Sequence, residues 1–379
     1  MRICIVTHNI IKGDGQGRAN YEIVLEAIRR GYQITLVAIN VAPELQKNSQ
    51  VNWVPISVKG WSTALLSNLV FSWKSRNWLQ KNHSMFDVLQ VYGCVTNYAA
   101  DINTFQFVHS GWLKSPAHTF QLRKDLYGLY QWLFTALNAH WEKRACQNSK
   151  VLVAVSEGIK QDLIGIGVAP NKIRVILNGV DVEEFAPESR DRHKLGLPKD
   201  ITLALFAGDI RTNRKNLDTV LYALVNVPNL HLAVVGNAER SPYPQLAMQL
   251  GLSERVHFLG FRRDIAEIMK AVDFFVFPSR YEPFGMVVSE AMATGMSVIT
   301  TAVSGVAEIV TSECGFVISD TEDATTLAEA MAKLTSDRLL REKMGRAARA
   351  IAEQHSWKSK AERYVDLFED SYKEKIKLP

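Results

Sequence analysis

Two glutamates spaced i and i+8, Glu282 and Glu290, lie in the stretch Ser279-Arg280-Tyr281-Glu282-Pro283-Phe284-Gly285-Met286-Val287-Val288-Ser289-Glu290. The apolar run Phe274-Phe275-Val276-Phe277 just before them reads as a buried parallel strand, and residues 285–294 read as a small-residue helix. A strand whose loop opens a helix is where doubly wound folds hold ligands. The opening of that helix, at Phe284 and Gly285, offers free amides and a positive dipole end suited to a phosphate. Glu282 then falls in the loop and Glu290 about a turn and a half into the helix. Two carboxylates beside a phosphate site suit a ligand with both hydroxyls and phosphates, which is the chemistry of a nucleotide sugar.

Further residues of the same kind stand at other expected strand ends. Gly208-Asp209-Ile210-Arg211-Thr212-Asn213-Arg214-Lys215-Asn216 brings three cations to the opening of a helix. Positive charge is unfavourable there unless an anion offsets it, and a diphosphate at Arg211, Arg214 and Lys215 would do so. Gly15 and Gly17 sit between the first strand and its helix, where the backbone can approach a phosphate or sugar; a plain tight turn reads almost as well. A dinucleotide fingerprint fails, because Asn20 stands where G-x-G-x-x-G requires a small residue. His109 follows an expected strand at 104–108; its ring, able to donate and accept, suits a sugar hydroxyl. Leu259-Gly260-Phe261 offers backbone groups and an aromatic face to a nucleobase. Ser304-Gly305-Val306-Ala307-Glu308 follows another strand, near the donor's sugar. Asn178-Gly179-Val180-Asp181 reads as a turn.

The elements that must position these residues alternate. Strands are expected at 2–7, 33–39, 88–91, 104–108, 151–155 and 173–176, with a helix at about 18–30 after the loop Lys12-Gly13-Asp14-Gly15-Gln16-Gly17. After a polar segment at 183–200, a second series falls at 202–207, 232–235, 256–259, 274–277, 297–300 and 316–318. Three helical patterns close the chain, at about 324–334, 338–355 and 358–375. Such alternation means two α/β units, each a parallel sheet covered on both faces, with a cleft between them as the natural ligand site.

At 379 residues, 47% hydrophobic and 22% charged, the chain is an ordinary globular protein with room for two domains. Cys4, Cys94, Cys146 and Cys314 are far apart and form no C-x-x-C pair, which fits reduced thiols in the cytosol. The first apolar run is too short for a signal peptide, and no stretch approaches 18 apolar residues. Residues 1–180 carry about 19 Lys and Arg against about 10 Asp and Glu, so that half is near +9 and the remainder near −4. The basic half also holds aromatic stretches at 61–78 and 120–141. These fit an ordinary core better than a peripheral contact with an anionic membrane or a lipid-linked acceptor. Nucleic acid is not indicated: no basic cluster exceeds two or three residues and no reader motif occurs.

Taken together, Val155-Ser156-Glu157, Asn178-Gly179-Val180-Asp181 with Phe185, Arg214-Lys215-Asn216, Leu259-Gly260, Glu282-x7-Glu290 and Ser304-Gly305-Val306-Ala307-Glu308 resemble the retaining glycosyltransferase family 4 in order and spacing. The resemblance covers nearly the whole chain. It implies the α/β GT-B fold, two Rossmann-like doubly wound domains facing across a cleft: an acceptor domain at 1–180, a nucleotide-sugar domain at 181–357, and a C-terminal helix at 358–379 packing back on the first. It implies transfer of a hexose from a UDP- or GDP-linked donor to a carbohydrate or lipid-linked hydroxyl. The alternatives are a sugar-nucleotide epimerase and a non-catalytic nucleotide-sugar-binding protein of the same fold.

The resemblance also implies roles. Glu282 lies by the transferred sugar near the reacting carbon, Glu290 holds the ribose, Leu259, Gly260 and Phe261 meet the base, and His109 faces the sugar. Lys215 binds the diphosphate with an arginine, beside Phe284 and Gly285, under cover of Gly15 and Gly17. Members of the family usually carry an arginine directly after the glycine matching Gly208; here that residue is Asp209, so Arg211 or Arg214 must stand in. No Asp-x-Asp motif occurs, and neither a metal nor another cofactor is expected. The implied location is cytoplasmic, at most peripheral to the inner membrane face.

Overall fold

The computed structural model describes residues 1–13, 15–61 and 63–377. The chain divides into two compact units, Met1–Gly179 with the C-terminal stretch from Trp357, and Val180–Ser356.

Unit 1 is built on a parallel sheet of β1 (Arg2–Val6), β2 (Gln33–Ala38), β3 (Val51–Pro55), β4 (Val88–Tyr92), β5 (Ala100–Phe105), β6 (Ser149–Ala154) and β7 (Ile173–Val175), in the order β3-β2-β1-β4-β5-β6-β7. Its principal helices are α1 (Gly15–Arg29), α2 (Ala64–Asn82), α3 (His109–Lys114), α4 (Leu126–Gln147) and α5 (Glu157–Ile164). Strand order reverses at β1, which pairs Cys4 with Thr35 on one side and Leu89 on the other. The apolar residues of β1 are fully buried, as a sheet covered on both faces requires.

Unit 2 repeats the plan. Its strands β8 (Thr202–Ala207), β9 (Leu230–Val235), β10 (Val256–Gly260), β11 (Phe274–Phe277), β12 (Ser297–Thr301) and β13 (Gly315–Ile318) lie in the order β10-β9-β8-β11-β12-β13. Its principal helices are α6 (Leu217–Val225), α7 (Met286–Ala293), α8 (Ala324–Ser336) and α9 (Arg338–Gln354). The reversal falls at β8, where Leu205 is flanked by Ala233 and Phe275. Phe206, Phe274, Phe275 and Phe277 are fully buried around it. Each such burial contributes about 2 kcal/mol and fixes the strand ends that carry the site.

The last helix, α10 (Trp357–Lys377), returns to unit 1. Tyr364, Val365 and Phe368 enter the core made by β1, β2 and α1. Arg30 donates to Asp366 at 2.6 Å and Glu369 at 2.8 Å, and Lys375 donates to Asp101 at 2.6 Å.

Three local expectations are corrected. The strand expected at 104–108 is β5, four residues earlier. Asp101 and Asn103 disguise it, yet both are buried and bonded: Asp101 accepts from the amide of Leu89 at 2.9 Å, and Asn103 donates to the carbonyl of Gly93 at 3.0 Å. Gly15 and Gly17 are not in a loop but in the first turn of α1. Glycine's cost in a helix is the backbone freedom it gives up, a cost that counts chiefly in the helix interior. Asp14, part of the expected loop, lies outside the described residues. The edge strand β3 was not expected, its half-buried Val-Asn-Trp-Val-Pro carrying a weak pattern. The turn read at Asn178–Asp181 is braced by Asp181, whose carboxylate accepts from the amides of Glu183 and Glu184 at 3.0 and 2.9 Å.

Candidate active site

In unit 2 the two loops at the switch point, after β8 and after β11, carry Lys215 and Glu282. Lys215 ends a short 3₁₀ turn, Asn213–Lys215, and Asn216 follows at φ +64° to swing the chain into α6. Asparagine is among the few non-glycine residues that adopt this conformation readily. Its fully buried amide does more than turn the chain. Nδ2 donates to the carbonyls of Pro278 at 2.8 Å and Thr321 at 2.6 Å, while Oδ1 accepts from Thr219 at 2.6 Å. The loops after β8, β11 and β13 are thereby tied to one side chain.

A second tie sits beside it. Ser279 Oγ and the amide of Arg280 both donate to the carbonyl of Arg214, at 3.0 and 2.9 Å. The Arg280 guanidinium bridges Asp218 at 2.9 Å and Glu322 at 2.6 Å. Burial alone would lower its pKa, but these carboxylates outweigh it and raise it. Arg280→Ala is expected to lower stability by about 3 kcal/mol, since it leaves two carboxylates facing each other, and urea unfolding measures that loss.

Held in this way, Lys215 Nζ forms an ion pair with Glu282 Oε2, the two side chains 13% and 12% exposed. The ammonium also lies 5.1 Å from the centre of the Phe277 ring, a cation–π contact. Desolvation lowers the Lys215 pKa, helped by the positive charge of Arg214 and opposed by Glu282. The lysine therefore carries its charge at a cost that a negative neighbour offsets.

Glu282 is fixed from its other side. Its carbonyl accepts from the amide of Gly305 at 3.1 Å, and that of Phe284 from Val306 at 2.6 Å, so Ser304–Glu308 runs alongside. Gly285 follows at φ +99°, with an added Cβ 3.1 Å from Val306 and 3.3 Å from Glu282. Only glycine accommodates that turn, which ends at the N-terminus of α7, where no side chain caps the amides. Phe284 is buried, so its ring packs the core and only its backbone faces the helix opening. Glu290 is the fifth residue of α7 and half-buried.

The candidate cations differ in their company. Arg211 is exposed and donates to Asp209 at 2.9 and 3.1 Å. Arg214 is half-buried and makes no ion pair among the described residues, although its charge is felt at Lys215. Further along the sheet, Leu259 and Gly260 end β10 and Phe261 stands 74% exposed. The amide of Gly236 donates to the carbonyl of Gly260 at 3.0 Å. A Cβ on Gly236 would lie 2.3 Å from the carbonyl oxygen of Gly208. This close crossing of the loops after β8 and β9 was missed from sequence, although a glycine ending the apolar run Leu230–Val235 signalled it. Gly236→Ala is expected to destabilise by about 2 kcal/mol, read as a lowered Tm.

His109 lies in unit 1, as the first residue of α3. Its ring meets Phe107 at 5.0 Å and Phe134 at 5.8 Å, both edge to face. Burial lowers its pKa to about 4, so the imidazole is neutral at pH 7. With Gln16, Tyr92, Phe107, Trp141 and Glu142 it lines a cavity of about 380 Å³. Gln16 stands between Gly15 and Gly17, so α1 reaches the same cavity. Among the described residues, no three His, Cys, Asp or Glu side chains gather as metal ligands, and no helix is long and apolar enough to cross a membrane.

Comparison with known proteins accounts for both units. The family description Glycosyltransferase Family 4 matches residues 13–184, and Glycosyl transferases group 1 matches residues 187–351. The chain belongs to the family 4 glycosyltransferases. It is 31% identical over 249 residues to the D-inositol 3-phosphate glycosyltransferase of Xylanimonas cellulosilytica, covering 61% of this chain and 60% of that protein. The chain thus spans about three fifths of that curated relative. Among solved structures, sucrose-phosphate synthase from Thermosynechococcus elongatus matches with a TM-score of 0.79 at 20% identity over 98% of this chain and 99% of the other. HepE of Anabaena, solved with UDP and glucose, matches at 0.71 with 20% identity over 98% and 100%. The fold is GT-B.

Proposed function

We propose that this chain is a retaining hexosyltransferase that moves a hexose from a nucleotide diphosphate sugar to a hydroxyl acceptor. The observation that carries the proposal is the Lys215–Glu282 pair at the switch point of unit 2, beside the uncapped N-terminus of α7. A diphosphate docked there meets the ammonium of Lys215 and the helix amides, which offset the charge that builds on it as the sugar leaves. Arg214 is the second cation, because Arg211 is already engaged by Asp209. Glu282 lies by the sugar hydroxyls, Glu290 takes the ribose, and the ends of β9 and β10, with Phe261, receive the base. The cavity of unit 1 takes the acceptor, with His109 a neutral hydroxyl partner on its wall.

In the reaction, the acceptor oxygen bonds to the anomeric carbon on the face from which the nucleotide leaves. The bond from that carbon to the diphosphate breaks, and the acceptor's proton passes to the departing phosphate oxygen. Lys215 and Arg214 do the electrostatic work, so the proposed reaction needs no metal.

The test is thermal stabilisation by UDP, GDP and ADP and their sugars, with and without chelator. UDP is the expected ligand, by analogy with HepE. At a hundred times its dissociation constant it should add about 2.7 kcal/mol, unchanged by chelator. Absence of any nucleotide-dependent shift would sink the proposal. Release of free sugar without an acceptor would favour an epimerase of the same fold, and tight binding without turnover a non-catalytic binding protein.

The acceptor is proposed to be membrane-borne. Trp73, Leu126, Leu129, Trp132 and Leu133 are exposed on helices of the basic unit, beside Arg123 and Lys124. Cosedimentation with anionic but not neutral vesicles, weakened by salt, is expected; equal binding to both would remove the charge argument.

A further inference from the structure

Glu142 is an ionisable residue in the core of unit 1 that the proposed reaction does not use. It sits in α4 at 1% exposure, and burial pushes its carboxyl up to about 7 against its hydrogen bonds. A leucine would fill such a place without that cost. Among the described residues, the hydrogen bonds to this carboxylate come from one short stretch 32 to 33 residues away. The amide of His109 donates to Oε1 at 2.5 Å, and the amide and hydroxyl of Ser110 donate to Oε2 at 3.1 and 3.3 Å.

Those amides open α3, whose N-cap residue is Val108. Its apolar side chain has no oxygen to offer, and no side-chain cap bond forms. Glu142 supplies the cap from another helix. Without it, two amides in a packed region would lack acceptors. Asp162 of α5 closes the far side, its carboxylate lying where a Cβ on Gly111 would be 2.3 Å away. The His109 backbone is thus held by α4, and α4 also supplies Phe134 against its ring. Glu142, His109 and Phe107 line the same cavity.

We infer that Glu142 is the positioning residue of the His109 site: its carboxylate fixes the first turn of α3 so that the imidazole enters the unit 1 cavity in one orientation. Any part this plays in transfer rests on the role proposed for His109. Three groups near Glu142 hold one state near neutrality. His109 is neutral, and the thiols of Cys94 and Cys146 are raised to about 12 by burial. Asp162 adds negative charge, and Arg144 stands exposed at the cavity.

The test has one arm that needs no ligand. In ¹⁵N-labelled full-length chain, assigned with His109→Ala, the His109 amide should titrate with a midpoint near 7, and Glu142→Gln should abolish that titration. Stability gives an independent sign. An acid whose pKa is raised from 4.5 to about 7 on folding holds its proton longer when folded, so it costs stability as pH rises through that window. Relative to Glu142→Gln, the wild type should therefore lose Tm between about pH 4.5 and about pH 7. An unchanged His109 signal in Glu142→Gln overturns the inference.

The second arm is UDP release from UDP-glucose. Glu142→Gln should lower kcat about 30-fold with KM within about twofold, and Ser110→Ala, which removes one bond of three, should follow in the same direction by about threefold. If His109→Ala abolishes turnover while Glu142→Gln leaves it intact, positioning fails and the proposed function stands. If His109→Ala turns over normally, the role assigned to His109 fails, and the resonance of the first arm still decides the positioning.

Discussion

Lys215→Ala is expected to lower kcat by about a thousandfold, close to 4 kcal/mol of transition-state stabilisation. The reason lies in where its charge sits. A surface lysine would be screened by water and salt, but Lys215 is 13% exposed and lies over the face of Phe277. In so dry a place, charge building on a departing diphosphate is worth several times its value in water. Arg214 does not replace it, because Lys215 is the cation paired with Glu282 and seated over the Phe277 ring. KM for the donor should rise less than kcat falls, since the interaction strengthens as the bond to the sugar breaks.

The same substitution strands Glu282. Removing one partner of a buried ion pair costs about 3–5 kcal/mol when burial is complete, and about 2 is expected here because Glu282 keeps an edge in solvent. Lys215→Met separates the two effects. It keeps the stem that packs against Gly208 and Phe277, so it should recover part of the stability and none of the turnover. Stopped-point assays with melting curves on both variants are decisive. A Lys215→Met enzyme with wild-type kcat would remove the lysine from the reaction.

How much of this could be read from the sequence depended on whether a residue's reason is local. The strands of unit 2 were legible because a sheet buried on both faces needs unbroken apolar runs, and Phe274–Phe277 is one. The resemblance put Glu282 and Lys215 at one donor site, but their ion pair was not visible, since 67 positions separate them. Strand order brings them together, and the residues that fix the approach, Asn216 and Arg280, look like ordinary polar loop residues. β5 was placed four residues late because its buried Asp101 and Asn103 are satisfied by partners far along the chain. The sequence leaves the second cation open between Arg211 and Arg214, and the bond from Arg211 to Asp209 is the observation behind proposing Arg214. The role of Glu142 had no local signal at all: a single acidic residue in an aromatic helix reads as surface, and here it is 1% exposed.

Glu282→Gln is the sharper experiment, because its effect should depend on pH in a way that Lys215→Ala cannot imitate. Burial already lowers the pKa of Lys215, and the charge of Glu282 is what opposes that fall. A glutamine accepts a hydrogen bond from Nζ but carries no charge, so the ammonium loses its counter-ion and its pKa falls further. Turnover in the variant should drop about a hundredfold, and what remains should be greatest at the acid end of the working range. The lysine sheds its proton as pH rises, and with it the diphosphate's anchor. Stability should move the other way. A base whose folded pKa is lowered binds fewer protons when folded than when unfolded, so stability rises with pH between the lowered value and the ordinary 10.5. Activity and Tm of Glu282→Gln should therefore run in opposite directions with pH, and bound UDP should flatten both by replacing the lost negative charge. Parallel changes in the two would mean that Glu282 acts on the sugar alone and that the charge state of Lys215 does not depend on it.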